Sequence, residues 1–320
     1  MGVAFPLVLP IFAIIAIGYA AARTGFLGRA AIDGLDRYVF TFAIPALLFR
    51  ALAGTELPAT LPWTLWLTYY GATLATWALG LVAVRLLAGR SLRDSIMIGF
   101  GCAQSNTVMV GIPIILSALG DAAGPPLFFI IGFHGLILIT VATVGLEWAG
   151  SRDQSGDDER PARTALRGFL SVLRGTLCNP VILGLAGGVI YGQLGVAIPG
   201  PVDRMLELLG GSAIPCALFV IGAVLTRHRL GHSLGLAALV ATLKLLAHPA
   251  LVWLVATYVL ALPLPWVQVA TLLAAMPTGV YCSILANRYR AAPEVASSVV
   301  VLSTVASLVT ITALLAWMTG

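Results

Sequence analysis

The chain's only lysine, Lys244, lies inside a long apolar stretch, with His248 one helical turn further on and His134 inside another such stretch. A lone cation in those surroundings must face a protein interior. There it could serve as counter-charge for an anionic ligand, or as a group that exchanges protons, with the two histidines as the other titratable candidates near neutral pH. The bland alternative is packing, with the ammonium bonded to backbone carbonyls and the histidines satisfied in the core. Gln104, Ser105, Asn106 and Thr107 form the densest uncharged polar cluster in any apolar stretch, and Gly111 and Pro113 follow them. Met276-Pro277-Thr278-Gly279 makes a second such place, followed by Tyr281 and Ser283. Amides and hydroxyls beside an interrupted helix can bond a carboxylate or reseal freed backbone groups.

Other chemistries are not expected. There is no H-E-x-x-H and no pair of carboxylates within an apolar stretch, so the chain does not read as an enzyme. No G-x-x-x-x-G-K-[ST] occurs, which argues against an ATP-driven pump. Cys102, Cys178, Cys216 and Cys282 lie far apart with no C-x-x-C, so no metal site, cofactor or disulfide framework is expected and they read as small buried hydrophobes. Asp36, Asp94, Glu147, Glu207 and Glu294 fall near the ends of apolar stretches, which argues against a cation site built from carboxylates. The coupling ion, proton or sodium, stays open.

The elements that must position these residues follow from composition. With 59% hydrophobic and 10% charged residues and a mean hydropathy of +1.00, the solvent is lipid. Runs of roughly 20 apolar residues divide the chain into about ten transmembrane helices. They are expected near 3–22, 34–53, 62–87, 94–119 and 125–149, then 179–197, 203–226, 233–261, 265–287 and 294–318. The net charge of +5 comes mostly from arginines at the ends of these runs, which points away from nucleic acid. Arginines fill the odd connections, while the even ones and both tails hold only Arg50 and Arg204. Cytoplasmic loops collect such charge, so both termini are expected on the non-cytoplasmic side of the cytoplasmic (inner) membrane. The polar segment 150–178 reads as a cytoplasmic linker between two halves, 1–149 and 179–320.

The halves repeat. Phe42 to Phe49 reads FAIPALLF and Ser212 to Phe219 reads SAIPCALF, placing Pro45 and Pro215 as helix kinks at matching points. The Pro/Gly interruptions at Gly111-Ile112-Pro113 and Pro277-Thr278-Gly279 likewise recur in the fourth span of each half. Five spans per half force the copies to enter the membrane from opposite sides, an inverted repeat. Broken backbone is tolerated at membrane depth only where protein or a water-lined cavity satisfies it, so the breaks face inward. Two half-helix N-termini meeting there would attract an anion. The substrate-contact candidates are therefore Asn106, Gly111, Pro113, Met276, Pro277, Thr278 and Tyr281, with Lys244, His134 and His248 for charge or proton coupling.

The order and spacing of several motifs carry a resemblance. Ala43-Ile44-Pro45 with Leu48-Phe49, Asn106 to Pro113, Asn179-Pro180, Ala213-Ile214-Pro215 through Leu218, Lys244 to Pro249, Met276-Pro277 and Ser303-Thr304 together resemble the auxin efflux carrier family. The likeness is to its prokaryotic members and covers essentially the whole chain. It implies a PIN-like fold, more distantly shared with sodium-coupled bile acid transporters. In that fold a core domain, whose fourth and ninth helices cross at their broken centres, stands beside a scaffold domain and holds substrate at the crossover. Asn106, Gly111, Pro113 and Pro277 carry over as site positions. Plant members move an indole carboxylate, and bacterial members have been linked to malate or malonate. The third span, Trp63 to Leu87, holds no acidic residue, so a mechanism needing one there is not expected.

The expectation is a secondary active transporter that exports a small carboxylate by alternating access, with the lipid bilayer around it and a homodimer left open. A sodium-coupled organic-anion symporter of the bile-acid type, which predicts sodium-dependent uptake, is the alternative within transport. A channel or membrane receptor is the alternative outside it.

Overall fold

A computed structural model describes residues 4–54, 62–153, 173–175, 177–228, 230–231 and 233–319. Its regular elements are helical throughout. The first group comprises α1 (Ala4–Arg23), α2 (Arg29–Tyr38), α3 (Ile44–Ala53), α4 (Trp63–Ala88), α5 (Leu92–Ala103), α6 (Ile112–Leu119) and α7 (Gly124–Asp153). The second comprises α8 (Pro180–Gln193), α9 (Gly200–Gly211), α10 (Ala213–Leu225), α11 (Leu234–Thr242), α12 (His248–Leu254), α13 (Leu264–Ala275), α14 (Tyr281–Tyr289) and α15 (Pro293–Thr319). Five continuous apolar stretches, Trp63–Ala88, Gly124–Gly150, Gly200–Leu225, Leu234–Val259 and Pro293–Met318, are long enough to cross a membrane, and shorter apolar helices accompany them. Most of the expected linker, residues 154–172 and 176, lies outside the described residues.

Local chemistry explains the ends. Ser91 caps α5 by accepting the Asp94 N–H at 3.1 Å, and Asp94 adds a negative charge to the first turn. Asn179 caps α8 through its Oδ1 and the Val181 N–H at 2.9 Å, with Pro180 in the first turn, as the sequence suggests.

Three prolines sit in a common setting. Pro45, Pro113 and Pro249 each come two residues after a five-residue π turn, at Val39–Ala43, Thr107–Gly111 and Leu243–Ala247. In each case the residue before the proline donates five positions back: Ile44 to Val39, Ile112 to Thr107 and His248 to Leu243. The wider turn moves the carbonyls away from the pyrrolidine ring, so the helix continues through the proline. Pro215 uses another device. It enters α10 just after Ser212, whose hydroxyl donates to the Leu209 carbonyl at 2.6 Å and lies 2.8 Å from the Tyr38 hydroxyl.

Packing falls into two kinds. Helices α1 and α10, and α3 and α8, meet through glycine. A Cβ on Gly184 or Gly188 would lie 2.6 Å from the Pro45 or Phe49 carbonyl oxygen, and Gly18 and Gly222 bring α1 and α10 backbone to backbone at Phe219 and Ile15. The remaining core, built from α4, α5, α7 and α11 to α15, encloses polar groups instead. The two arginines that break the sequence's charge alternation are both ion-paired, Arg50 to Asp203 at 2.6 Å and Arg204 to Glu207 at 2.8 Å.

Candidate functional site

Two helices are interrupted, and the interruptions pair with each other. The first runs from Gln104 to Asn106, between α5 and the π turn at Thr107. The second begins at Met276, whose backbone is extended, and ends at Gly279, ahead of α14. Ser105 and Thr278 form an antiparallel bridge, and the Asn106 N–H donates to the Pro277 carbonyl at 2.8 Å.

The position of the first break differs from the sequence expectation. Gly111 has helical dihedrals (φ −65°, ψ −51°), and the chain leaves helical geometry two turns earlier. The physical reason is that the π turn absorbs Pro113, while Asn106, acting as a cap, restarts the helix by accepting the Met109 N–H at 3.3 Å. Gly111 has another use: a Cβ there would come 2.9 Å from Leu273 Cδ2, so its absence lets the first break approach α13.

Side chains close most of the backbone valences that the breaks open. Gln104 Oε1 accepts the Gly279 N–H at 2.8 Å, and a Cβ on Gly279 would lie 2.7 Å from that same oxygen. Ser303 Oγ accepts the Thr278 N–H at 3.0 Å, and the Thr278 hydroxyl donates to the Gly101 carbonyl at 2.8 Å. Thr304 only back-bonds to Val300 on its own helix. The half-helix N-termini are thus less open than the sequence implies, because Met109, Thr278 and Gly279 already have partners.

Lys244 reaches the same place. Fully buried, its Nζ donates to the Ala274 carbonyl at 2.5 Å, to Ser105 Oγ at 2.9 Å and to His248 Nδ1 at 3.2 Å. His248 is left to donate from Nε2 to Thr73 Oγ1 at 3.0 Å, and the Thr73 hydroxyl donates to the Tyr69 carbonyl at 2.6 Å. His134 Nε2 accepts the Ser105 N–H at 3.3 Å, which puts the His134 proton on Nδ1. The Tyr69 ring stands 5.8 Å from the His134 ring and 6.0 Å from that of His248. Among the described residues no Asp or Glu is bonded to this cluster. The buried donors in it without a hydrogen-bond partner include Asn106 Nδ2 and His134 Nδ1.

The structure therefore gathers Asn106, Pro277, Thr278, Lys244, His134 and His248 around Ser105. Met276 is buried beside Gly111. Tyr281 is 44% exposed and takes no part in these bonds. Pro113 instead lines a shallow apolar depression with Ile44, Leu47, Ile112, Ala213 and Ile214, so Ile44 of one Ala-Ile-Pro motif lies near Ala213 and Ile214 of the other. Sequence reasoning passed over Tyr69 and Thr73, although Tyr69, Thr73 and Thr76 mark one helical face of an otherwise apolar stretch. It also passed over Gly231-His232-Ser233-Leu234-Gly235, a G-x-S-x-G string. Ser233 precedes α11, accepts only a 3.4 Å bond from Arg90, and has no strand before it among the described residues, so it does not build a nucleophile elbow. Of the four free cysteines Cys102 and Cys282 are buried as expected, whereas Cys178 is exposed just before the Asn179 cap. No group of three His, Cys, Asp or Glu among the described residues could hold a metal ion.

Comparison with known proteins adds a lineage to this geometry. Residues 3–315 match the family described as "Membrane transport protein". The chain is 31% identical over 309 residues, 97% of its length and 94% of the relative's, to a Rhizobium meliloti (strain 1021) protein named "Putative malonate transporter". It is 25% identical over 312 residues, 95% of each chain, to an "Uncharacterized transporter" of Methanothermobacter thermautotrophicus. Over 233 residues, 61% of this chain and 63% of the relative, it is 25% identical to "Auxin efflux carrier component 8" of Arabidopsis thaliana.

Proposed function

Because this chain belongs to the membrane transport protein family, that of the auxin efflux carriers, and is a membrane transporter rather than an enzyme, we propose that it carries a small organic carboxylate. The observation that carries this reading is the buried cluster at the paired breaks. It holds one cationic side chain and unpartnered donors that include Asn106 Nδ2 and His134 Nδ1, and no acidic side chain is bonded to it among the described residues. Burying unbalanced donors is costly, and a carboxylate, which only accepts, is the ligand that balances them. The name of the Rhizobium relative points to the same chemical class.

In this reading the chain has ten spans in two inverted five-helix repeats and sits in the cytoplasmic membrane with both termini outside. Export proceeds by alternating access. The glycine-packed helices form the scaffold. The polar core moves against it, carrying the carboxylate between the breaks. Asn106 bonds the carboxylate, and Lys244 supplies positive potential close by. Met276, Pro277 and Thr278 shape the facing wall, and Pro113 and Ile112 meet Ile44, Ala213 and Ile214 along the seam where the two parts slide.

The test is thermal stabilisation of the purified protein by a panel of mono- and dicarboxylates that includes malonate, with Asn106→Ser in parallel. Stabilisation by a carboxylate that the variant loses is the expected result. A panel without effect, with amines or sugars stabilising instead, overturns the carboxylate reading.

A further inference from the structure

At the end of α13 the Leu273 carbonyl accepts the Met276 N–H, while the Ala274 carbonyl beside it stands at the negative end of a helix dipole, buried at a break. In transporters built on broken helices, such C-terminal ends and unwound carbonyls are where a coupling cation is coordinated. In this chain a side chain reaches that point. Lys244 Nζ lies 2.5 Å from the Ala274 carbonyl, 2.9 Å from Ser105 Oγ and 3.2 Å from His248 Nδ1, three acceptors drawn from α13, the first break and α12. An ammonium has three N–H bonds, and each is used. The ammonium is thus fully coordinated by this chain's own groups.

We propose that Lys244 is a tethered cation that fills the cation position at the end of the broken helix α13, so that this transporter needs no sodium. The proposal rests on the transporter reading above. A free cation entering the same shell would meet the ammonium's charge with no carboxylate bonded there to offset it. The ammonium remains with the protein through every cycle. It fixes both breaks at once, because it joins Ser105 of the first to Ala274 at the edge of the second.

The experiment compares the melting temperature of the purified full chain in NaCl, KCl and choline chloride at equal ionic strength, with and without malonate as probe. For the wild type, the melting temperature without malonate should be the same in all three salts, and the malonate midpoint should agree within about twofold. Lys244→Ser empties the position while keeping an oxygen near it. That variant should gain a sodium-specific rise of roughly 3 °C over choline, and in choline bind malonate at least about tenfold more weakly than the wild type. The proposal is overturned if the wild type shows a sodium-specific rise, if its malonate midpoint is tenfold or more tighter in NaCl than in choline by roughly the linkage expected of a coupling ion, or if folded Lys244→Ser shows no sodium-specific shift. Should Lys244→Ser fail to fold, the wild-type salt comparison decides. If malonate stabilises nothing in any salt, the malonate reading fails, and the salt comparison without malonate still decides this proposal.

Discussion

The two breaks face each other as partners but bring opposite materials. Gln104 to Thr107 supplies side chains: an amide that braces Gly279, a hydroxyl under Lys244, and a capping amide with a spare donor. The stretch from Ala274 to Gly279 supplies backbone: the Ala274 and Pro277 carbonyls and the Thr278 and Gly279 N–H groups. One break is adaptable in chemistry and the other in shape. Substitutions in the first should therefore change what is bound, and substitutions in the second should change whether the crossover assembles.

The comparison can be broken most sharply at the residue that touches both. Lys244→Met should weaken carboxylate stabilisation by about 100-fold, the size of losing a nearby opposite charge in a buried site. Its melting temperature should fall less than three lost hydrogen bonds suggest, because an isolated buried charge is removed with them. An unchanged affinity would remove Lys244 from the binding account. Next comes Gly279→Ala, expected to cost about 2 kcal/mol in unfolding free energy because its Cβ would displace the Gln104 amide. Adding Gln104→Ala should relieve part of that cost, and a double-mutant cycle measured by denaturant unfolding should show coupling of about 1 kcal/mol.

Asn106→Ser separates the two jobs of one side chain. Serine caps helices about as well as asparagine, so stability should change by less than about 0.5 kcal/mol. Losing the amide donor should weaken the carboxylate roughly tenfold in a thermal-shift titration. If affinity holds and stability collapses, the side-chain break is structural after all. The smallest effect is expected at Ser303→Ala, which orphans the Thr278 N–H for about 1 kcal/mol of stability and leaves the carboxylate midpoint within about twofold.

Much of the helical outline was readable in advance, because apolar runs and their Pro/Gly punctuation report directly on helix ends. Asn179-Pro180 announced the start of α8, and Met276-Pro277 announced the second break, where proline has no helical partner to lose. The first break was read two turns late for the same reason. Proline is the loudest signal in a sequence, but a π turn can silence it, and the actual departure at Gln104–Asn106 carries only polar residues. The polar members of the site were visible as types out of place in an apolar chain: Lys244, His134, His248 and Asn106. Their partners were not. Nothing local tells Lys244 that it will meet Ser105, 139 positions away, or a carbonyl of α13, since those contacts exist only after the helices pack.

The glycine contacts of α1 with α10 and of α3 with α8 carry one more consequence. Where backbone rests on backbone, a pair of helices has a single register: a slide of one residue in either direction would drive a Cβ into a carbonyl that glycine now clears. Such a pair resists ratcheting from one turn to the next, because the backbone contact leaves little room for a neighbouring arrangement. The degrees of freedom left to each of these helix pairs are those of a plate, which tilts or stays still as a whole.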